Sequence, residues 1–539
     1  MPDLRRNCGV RSPPYTRRVD ERSGRRLAWS TAIFSLATGI SRILGLVREV
    51  VARYYFGTVG AINAFEVAFL IPNTVRALVA DAALSSAFVP VFSELLEKGE
   101  RARAWRVAST LFWLILLGLG GVTVLFILLA PWIMAPFPYE QDLLVGLSRV
   151  LFPIVLLLGL SGVVVGVLNS YEHFSMPALT PVFWNLAIIA GLVFGVPRVD
   201  SENAKLYVYA GAIVGGTLLQ FLLPLPWLRG RDGRLQFVLD WRDPAVRRVG
   251  VLMFPVALGL GLINVNALID GVFAAKLIDP QIAPSAINSA FRIYMLPQGV
   301  FSVAVATVLF PRLARLATRA DTDAFRDTVS MGLRQIGFLL LPASAVSAVL
   351  AVPIVRLLYE RGAFTPDQTG VVASALAAFA LGLTFNGTML MLNRAFFSLQ
   401  SPWIPTAIAL GNLGLNAALD AVLYPVGVWG IPLATSLVNI AGTAALLVVF
   451  RRRMGRVDGG RLVDSYVRIA FASAVAAGIA FGVWFGLDAA VGRSLLGQIL
   501  SVGGAIAAAA GAFLLLSRAL GIRELDVLLS LRRRSATTE

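Results

Sequence analysis

Apolar runs of about 20 residues or more, the length a helix needs to cross a bilayer, follow one another from Leu27 onward, separated by short polar stretches. About 14 such segments can be counted along the chain. Together they consume most of its length and leave no room for a large soluble domain. Only 14% of residues are charged, 57% are hydrophobic and the mean hydropathy is +0.76, whereas soluble domains carry about 25% charged residues. The expected fold class is an all-α polytopic membrane protein of about 14 transmembrane helices.

The net charge of +16 would point to nucleic acid in a soluble protein, but its distribution argues otherwise. Arginines cluster in the N-terminal tail (Arg5, Arg6, Arg17, Arg18, Arg25, Arg26), near 98 to 106, 229 to 248, 312 to 326 and 451 to 461, and at Arg532 to Arg534. These clusters fall in every second loop, the positive-inside pattern. Both termini are therefore expected in the cytoplasm, with membrane lipids rather than nucleic acid as the partner of the charge. The single cysteine, Cys8, lies in the polar tail, so neither a disulfide framework nor a thiolate metal site is expected. The single histidine, His173, falls in a loop and reads as a solvated polar residue. The first 26 residues are too polar for a signal peptide, and no P-loop is present. Glycine runs such as Gly118 to Gly121 read as helix packing.

The chain divides into a basic cytoplasmic tail (1–26), an N-terminal lobe (27–228, six spans) and a cytoplasmic linker (229–247). A C-terminal lobe (248–450, six spans), a basic loop (451–464), two further helices (465–517) and a cytoplasmic tail (518–539) follow. The first helix, Leu27 to Phe56, exceeds a perpendicular span and is expected to tilt or bend at Gly39 or Gly45, and the second, Ile62 to Leu95, to kink at Pro72. Features of the first half recur in the second. AFEVAFLIP at Ala64 to Pro72 returns as AFRIYMLP at Ala290 to Pro297, and LNSYEHFSMPALTP at Leu168 to Pro181 as LNRAFFSLQSPWIP at Leu392 to Pro405. Collinear repeats of this kind mark transporters whose site lies between two related bundles. An even number of spans per half relates the lobes by a pseudo-two-fold along the membrane normal. The last two helices have no counterpart in the first half and read as an accessory pair or a lipid-tail groove.

Within Ser41 to Pro90, Arg42, Arg48, Glu49, Glu66, Arg76 and Asp81 sit among apolar residues, and a charge inside the membrane is costly unless it is paired or faces water. At about 100° per residue, Arg42 and Glu49 fall nearly on one line about 10 Å apart, while Arg48 is rotated by about 120° and is free to face a neighbouring helix. Asn73 and Arg76 are neighbours at spacing three. Arg292 occupies the repeat-equivalent helix of the second half. These charges either stitch helices together or line a cavity. Arginine outnumbers acid, and a guanidinium suits phosphate, so an anion is the expected ligand. Glu49 and Asp81 are the expected gate or charge partners. Arg394, near a helix end, reads as a snorkelling side chain.

A second constellation is acidic. Asn416 and Asp420 lie four apart on one helix, and Asn266 and Asp270 four apart on another. Their oxygens offer hard ligands for Na⁺ or a protonatable pair for H⁺, with Ile431 and Thr435 adding a carbonyl and a hydroxyl. Helix–helix hydrogen bonding is the other reading of the same spacing.

SRILGLVRE followed by NAFEVAFLIPNTVRALVADAALSSAFVPVFSE resembles the first two helices of the MurJ (MviN) group of lipid II flippases in the MOP superfamily. The resemblance continues through GVLNSYEHFSMPALTPVFWN, AFRIYMLPQGVFSVAVATVLFP and LYERGAFTPDQT, and covers about residues 30 to 450. It implies a transporter rather than an enzyme, exporting lipid II (undecaprenyl-pyrophosphate-linked muropeptide) across the bacterial cytoplasmic membrane for peptidoglycan synthesis, with cell-wall synthesis proteins as partners. It places the family's cavity arginines on Arg42, Arg48, Arg76 and Arg292, and its sodium site on Asp270, Asn416, Asp420, Ile431 and Thr435. The sequence departs from the family pattern at Glu49, Asn63, Asp81-Ala82 and Phe291. Two rival readings accompany it. One is a cation-coupled exporter of another lipid-linked sugar or of a drug; the other is a non-transporting membrane scaffold for cell-wall synthesis.

Overall fold

The computed structural model describes residues 36–79, 82–455 and 459–525, with backbone alone at 77–79, 82–86, 254–263, 307 and 459. Both tails in large part, Cys8, residues 27–35 of the expected first helix and Asp81 lie outside the described residues. No strand occurs among those described, as expected where each segment has to satisfy its own backbone polar groups in lipid.

Helix α1 (36–56) runs unbroken through Gly39 and Gly45. The second expected helix is described as α2 (Ile62–Val79), with Pro72 inside it, and α3 (Ala82–Glu97). The rest of the first half comprises α4 (Arg101–Met134), α5 (Gln141–Leu151), α6 (Pro153–Ser170), α7 (Ser175–Ala190) and α8 (Glu202–Leu222). The second half opens with α9 (Pro244–Phe273), α10 (Ala283–Pro297), a π-helical turn Gln298–Ser302, and α11 (Val303–Thr318). It continues through α12 (Thr322–Val349), α13 (Ala351–Tyr359), α14 (Pro366–Ser398), α15 (Trp403–Leu423) and α16 (Gly430–Met454), and α17 (Gly459–Val491) and α18 (Leu495–Ala519) follow it. Eleven described helices are long and apolar enough to cross a membrane. The expectation of about 14 also counted the stretches occupied by α1, by α2 with α3, and by α9, which are not among those eleven.

Helix ends at repeat-equivalent positions share one turn geometry, which also closes α18 at Gly521 (φ 63). Helices α3, α6, α11 and α14 each end in a turn with one residue in the left-handed conformation: Gly99 (φ 77), Glu172 (φ 57), Ala320 (φ 53) and Gln400 (φ 53). In each, the next amide donates five residues back: Glu100 to Leu95, His173 to Leu168, Asp321 to Leu316 and Ser401 to Phe396, at 2.9 to 3.1 Å. This turn satisfies carbonyls that the helix end would orphan. Only one of the four residues is glycine, and a side chain in this conformation costs about 1 kcal/mol.

Apolar packing follows the halves. One buried cluster joins α2, α4, α5, α6 and α8, with Phe126 stacked on Phe152 at 3.8 Å. Another joins α10 to α14 and α16 around Tyr359, Phe396 and Phe450. Helix α9 packs against α2 and α3 of the first half and against α15 of the second, so it joins the halves. Helices α17 and α18 pack on each other and on α12. Arg356 of α13 pairs with Asp488 of α17 and lies 5.7 Å from the Trp484 ring, Arg334 of α12 pairs with Glu524 at 3.2 Å, and the Tyr466 hydroxyl donates to the Leu333 carbonyl at 2.9 Å. The accessory pair is thus fastened to the second half by charge as well as by apolar contact.

His173 departs from its expected solvated state. It is half-buried, its Nε2 has no hydrogen-bond partner among the described residues, and burial, with Arg231 nearby, pushes its pKa down. Arg394 has its guanidinium over the Phe310 ring at 5.4 Å.

Candidate functional site

The charged residues of α1 meet α10 along a seam between the halves. Helical spacing aims Arg42, Glu49 and Arg53 of α1 at Gly299, Arg292 and Ser285, so the two elements run antiparallel with successive contacts one or two turns apart. At one end the Gly60 amide donates to the Gln281 carbonyl at 2.9 Å. Next along the seam, Arg53, 2% exposed, donates from Nε to Glu49 Oε1 at 2.9 Å, from Nη2 to Glu66 Oε1 at 2.7 Å, and from Nη1 to the Ser285 hydroxyl. Glu66 Oε2 accepts from Asn288 Nδ2 at 2.6 Å. One turn further, Arg292 Nε lies 4.0 Å from Glu49 Oε2, beyond hydrogen-bond reach. Last, the Arg42 guanidinium sits against Gly299, where a Cβ would stand 1.7 Å from Nη1. The guanidinium thus occupies the space that a side chain at Gly299, in the π-helical turn after α10, would take, and any larger residue there has to displace it.

Two groups close the end of the seam near Gly60. Asn63, fully buried, donates to the Gln281 carbonyl at 2.5 Å, and its Oδ1 accepts from the Ser285 amide at 2.9 Å. The Thr58 amide and hydroxyl both donate to Gln368 Oε1, at 2.7 and 2.8 Å, and the Ala363 amide donates to the Tyr54 carbonyl at 2.8 Å. Gly57 lies so close to the Ala363 carbonyl that a Cβ would be 2.7 Å from it. The turn between α1 and α2 is therefore bolted to α10 and to the loop before α14.

The expected site residues divide. Arg42, Glu49 and Arg292 lie on the seam. Arg48 is buried and turned away from it, with its guanidinium 4.7 Å from the Trp184 ring of α7 and its Nε without a hydrogen-bond partner among the described residues. The rotation of about 120° relative to Arg42 accounts for that. Asn73 accepts from Arg76 Nε and Nη2 at 3.2 and 3.0 Å, the pairing that spacing three implied. Asn73 is seven residues from Glu66, nearly in line with it on α2. Asp81 lies outside the described residues. Sequence reading missed Arg53, Ser285 and Asn288. The signal for Arg53 was present in its spacing of four from Glu49, a favourable ion-pair spacing on a helix; no local pattern marks Ser285 or Asn288.

Among the side chains on or beside the seam, Arg42, Arg48, Arg53 and Arg292 stand against Glu49 and Glu66. Glu49 and Glu66 are both bonded to Arg53. Arg292, with 42% of its side chain exposed, is left without a close carboxylate. A guanidinium in that position attracts an anion with paired acceptor oxygens.

The acidic constellation also assembles. Asn416 Nδ2 donates to Asp270 Oδ1 at 2.6 Å and to Asp420 Oδ2 at 2.9 Å, so it bridges α9 and α15, and Asn266 Nδ2 donates to Asp270 Oδ2 at 3.3 Å. Asn416 and Asp420 are fully buried, and the Oδ1 atom of each lacks a hydrogen-bond partner among the described residues. Two orphaned hard oxygens beside a second carboxylate fit a small cation. On α16 the Thr435 hydroxyl donates to the Ile431 carbonyl at 3.2 Å. That bond joins Ile431 and Thr435 to each other rather than to the acids.

A family model described as lipid II flippase MurJ matches residues 52–491. The chain is 30% identical to a probable lipid II flippase MurJ of Rhizobium meliloti, over 93% of this chain and 95% of that protein. It is 30% identical to the lipid II flippase MurJ of Burkholderia cenocepacia, over 82% and 87%. A solved lipid II flippase MurJ in an inward closed conformation superposes with a TM-score of 0.75 at 23% identity, covering 91% of this chain and 99% of that one. An inward-facing multidrug resistance MATE family transporter of the MOP superfamily superposes with a TM-score of 0.64 at 14% identity, covering 79% and 95%. At those identities the two superpositions speak to the fold alone.

Proposed function

The chain belongs to the lipid II flippase MurJ family, and from that premise we propose how its own residues handle the substrate. The family is one of transporters, so this chain is a lipid flippase rather than an enzyme, and lipid II is the substrate its family membership implies. Arg42, Arg76 and Arg292 hold the pyrophosphate, Asn73 orients Arg76, and Arg48, stacked on Trp184, positions α1 against α7. The observation that carries this reading is the half-buried, incompletely paired Arg292 facing α1 across the seam. Closed bolts at Thr58, Asn63 and Gln368 favour access to the arginines from the far end of the seam. Alternating access then requires those bolts to break, and only a substrate or ion with different affinity for the two states can drive that.

The termini and the Arg-rich loops face the cytoplasm in this scheme, with Glu49 and Asp81 as charge partners of the gate. Na⁺ is the coupling ion at Asp270, Asn416 and Asp420, supported by the orphaned oxygens of Asn416 and Asp420. Ile431 and Thr435 are a second layer on the neighbouring helix α16.

The test is complementation in cells depleted of their own flippase, with Arg42→Ala, Arg76→Ala and Arg292→Ala introduced singly. Loss of rescue with normal membrane levels of protein is expected for each. Full rescue by all three sinks the anion seam, and a scaffold role would then account better for the chain.

A further inference from the structure

The linker between the halves does not hang free. It climbs along α4 and returns. Asp232 pairs with Arg101 at 2.9 Å, and at Gly233 the backbone lies on the Trp105 indole, where a Cβ would be 2.3 Å from the ring. The Gln236 amide donates to the Ser109 hydroxyl at 3.0 Å and its carbonyl accepts from Trp113 Nε1 at 2.8 Å. The path then descends: the Asp240 amide donates to the Thr110 hydroxyl at 3.2 Å, and Asp243 accepts twice from Arg103 at 3.1 Å. Trp113 lies about 18 Å along α4 from Arg101. Charge on α4 ends at Arg106, and its 34 residues make a rod of about 51 Å, longer than the hydrocarbon core of about 30 Å. Centring the apolar part of α4, residues 107–134, in the bilayer puts the hydrocarbon boundary near residue 110. The top of the linker therefore reaches that boundary.

What the linker carries at that height is apolar. Phe237, 73% exposed, packs edge-on against Trp113 with ring centroids 4.8 Å apart, and Trp241 is 62% exposed. On the same stretch Arg229, Arg234 and Arg242, and Arg247 in the first turn of α9, are exposed and have no ion pair among the described residues. Aromatic rings at the headgroup level with arginine alongside are the chemistry of an interfacial anchor, and exposed arginines there attract anionic lipid. We propose that residues 227–247 form a monotopic membrane anchor that inserts Phe237 and Trp241 into the headgroup boundary and binds the phosphates of anionic phospholipids through Arg229, Arg234, Arg242 and Arg247. This anchor pins the connector of the two halves to the leaflet through α4, apart from the seam and from the acidic cluster.

Two measurements on the full chain test it, neither of which reads transport. The chain is reconstituted in nanodiscs of equal parts phosphatidylcholine and phosphatidylglycerol, with a spin label at Phe237→Cys in a Cys8→Ser background. Greater accessibility to oxygen than to a water-soluble nickel chelate is expected; the reverse, as for an aqueous loop, overturns the insertion. Phosphatidylglycerol retained on the detergent-solubilised protein is then counted by native mass spectrometry. Each arginine changed to glutamine among the four weakens retention about fivefold, while a control set outside the basic loops, Arg198→Gln before α8 and Arg493→Gln between α17 and α18, leaves it unchanged. Equal loss from both sets, or no loss from the linker set, overturns the lipid site. The label measurement decides insertion even where an arginine variant fails to fold.

Discussion

Arg53 holds its charge with 2% of its surface exposed because two carboxylates, a carbonyl and a hydroxyl surround it. Removing one partner of a buried ion pair costs about 3 to 5 kcal/mol, since the other charge stays buried. Arg53→Ala strands Glu49 and Glu66 together, so a loss of that order is expected in the thermal unfolding of the detergent-solubilised protein. Adding Glu49→Gln and Glu66→Gln to Arg53→Ala recovers part of it; a triple variant no more stable than Arg53→Ala contradicts the account. Gly299 makes a different demand. Gly299→Val displaces the Arg42 guanidinium without removing any charge, and it is expected to abolish rescue as completely as Arg42→Ala while costing about 1 to 3 kcal/mol of thermal stability, the usual range for overpacking. Normal rescue by Gly299→Val separates Arg42 from transport.

At the scale of elements, the linker shows how a basic loop becomes fixed structure. Asp243 caps α9 through the Ala245 amide at 2.7 Å and also holds Arg103 of α4, so one carboxylate joins the two halves outside the membrane. The hydrogen bonds from Arg103, helped by the Ala245 amide, hold its carboxyl below the usual carboxylate range. A carboxyl whose folded pKa is depressed stabilises the fold above its unfolded value near 3.9, and that contribution fades as pH falls through the lower folded value. Asp243→Ala is expected to cost about 1 to 2 kcal/mol at neutral pH from the lost cap and ion pair. The gap between wild type and variant should begin to shrink at about pH 4 and close only below the depressed folded value. A gap that persists unchanged well below that pH rules out the carboxylate as its source.

At the scale of the whole molecule, the proposed transport cycle makes demands at two places, the bolts at the Gly60 end of the seam and the acidic cluster. Tyr54 and Ala363 share a backbone hydrogen bond of 2.8 Å and both are exposed. A disulfide from Tyr54→Cys and Ala363→Cys, in a Cys8→Ser background, is expected to block rescue under oxidation and to release it with reductant. Rescue under oxidation, with the crosslink verified, means that this end does not open. Na⁺ is expected to raise the melting temperature of the wild type over K⁺ and to lose that effect in Asp270→Asn, because only a ligand that prefers the folded site stabilises it; a shift retained in Asp270→Asn moves the ion elsewhere. Much of this architecture was legible in the amino-acid order. Apolar runs force helices because lipid offers the backbone no partners, the collinear motifs announce two related halves, and spacing alone pairs Asn73 with Arg76 and Asn416 with Asp420. Rotation about the α1 axis also separates Arg48 from Arg42. Only the tertiary structure could decide which faces meet. Arg53 draws its partners from Glu66, thirteen residues away, and Ser285, 232 residues away, and the linker finds Ser109 and Thr110 across 127 and 130 residues. Helical periodicity fixes where a side chain points from its own axis; which neighbour stands there is set by how the helices pack, and that is not written in any local stretch of sequence.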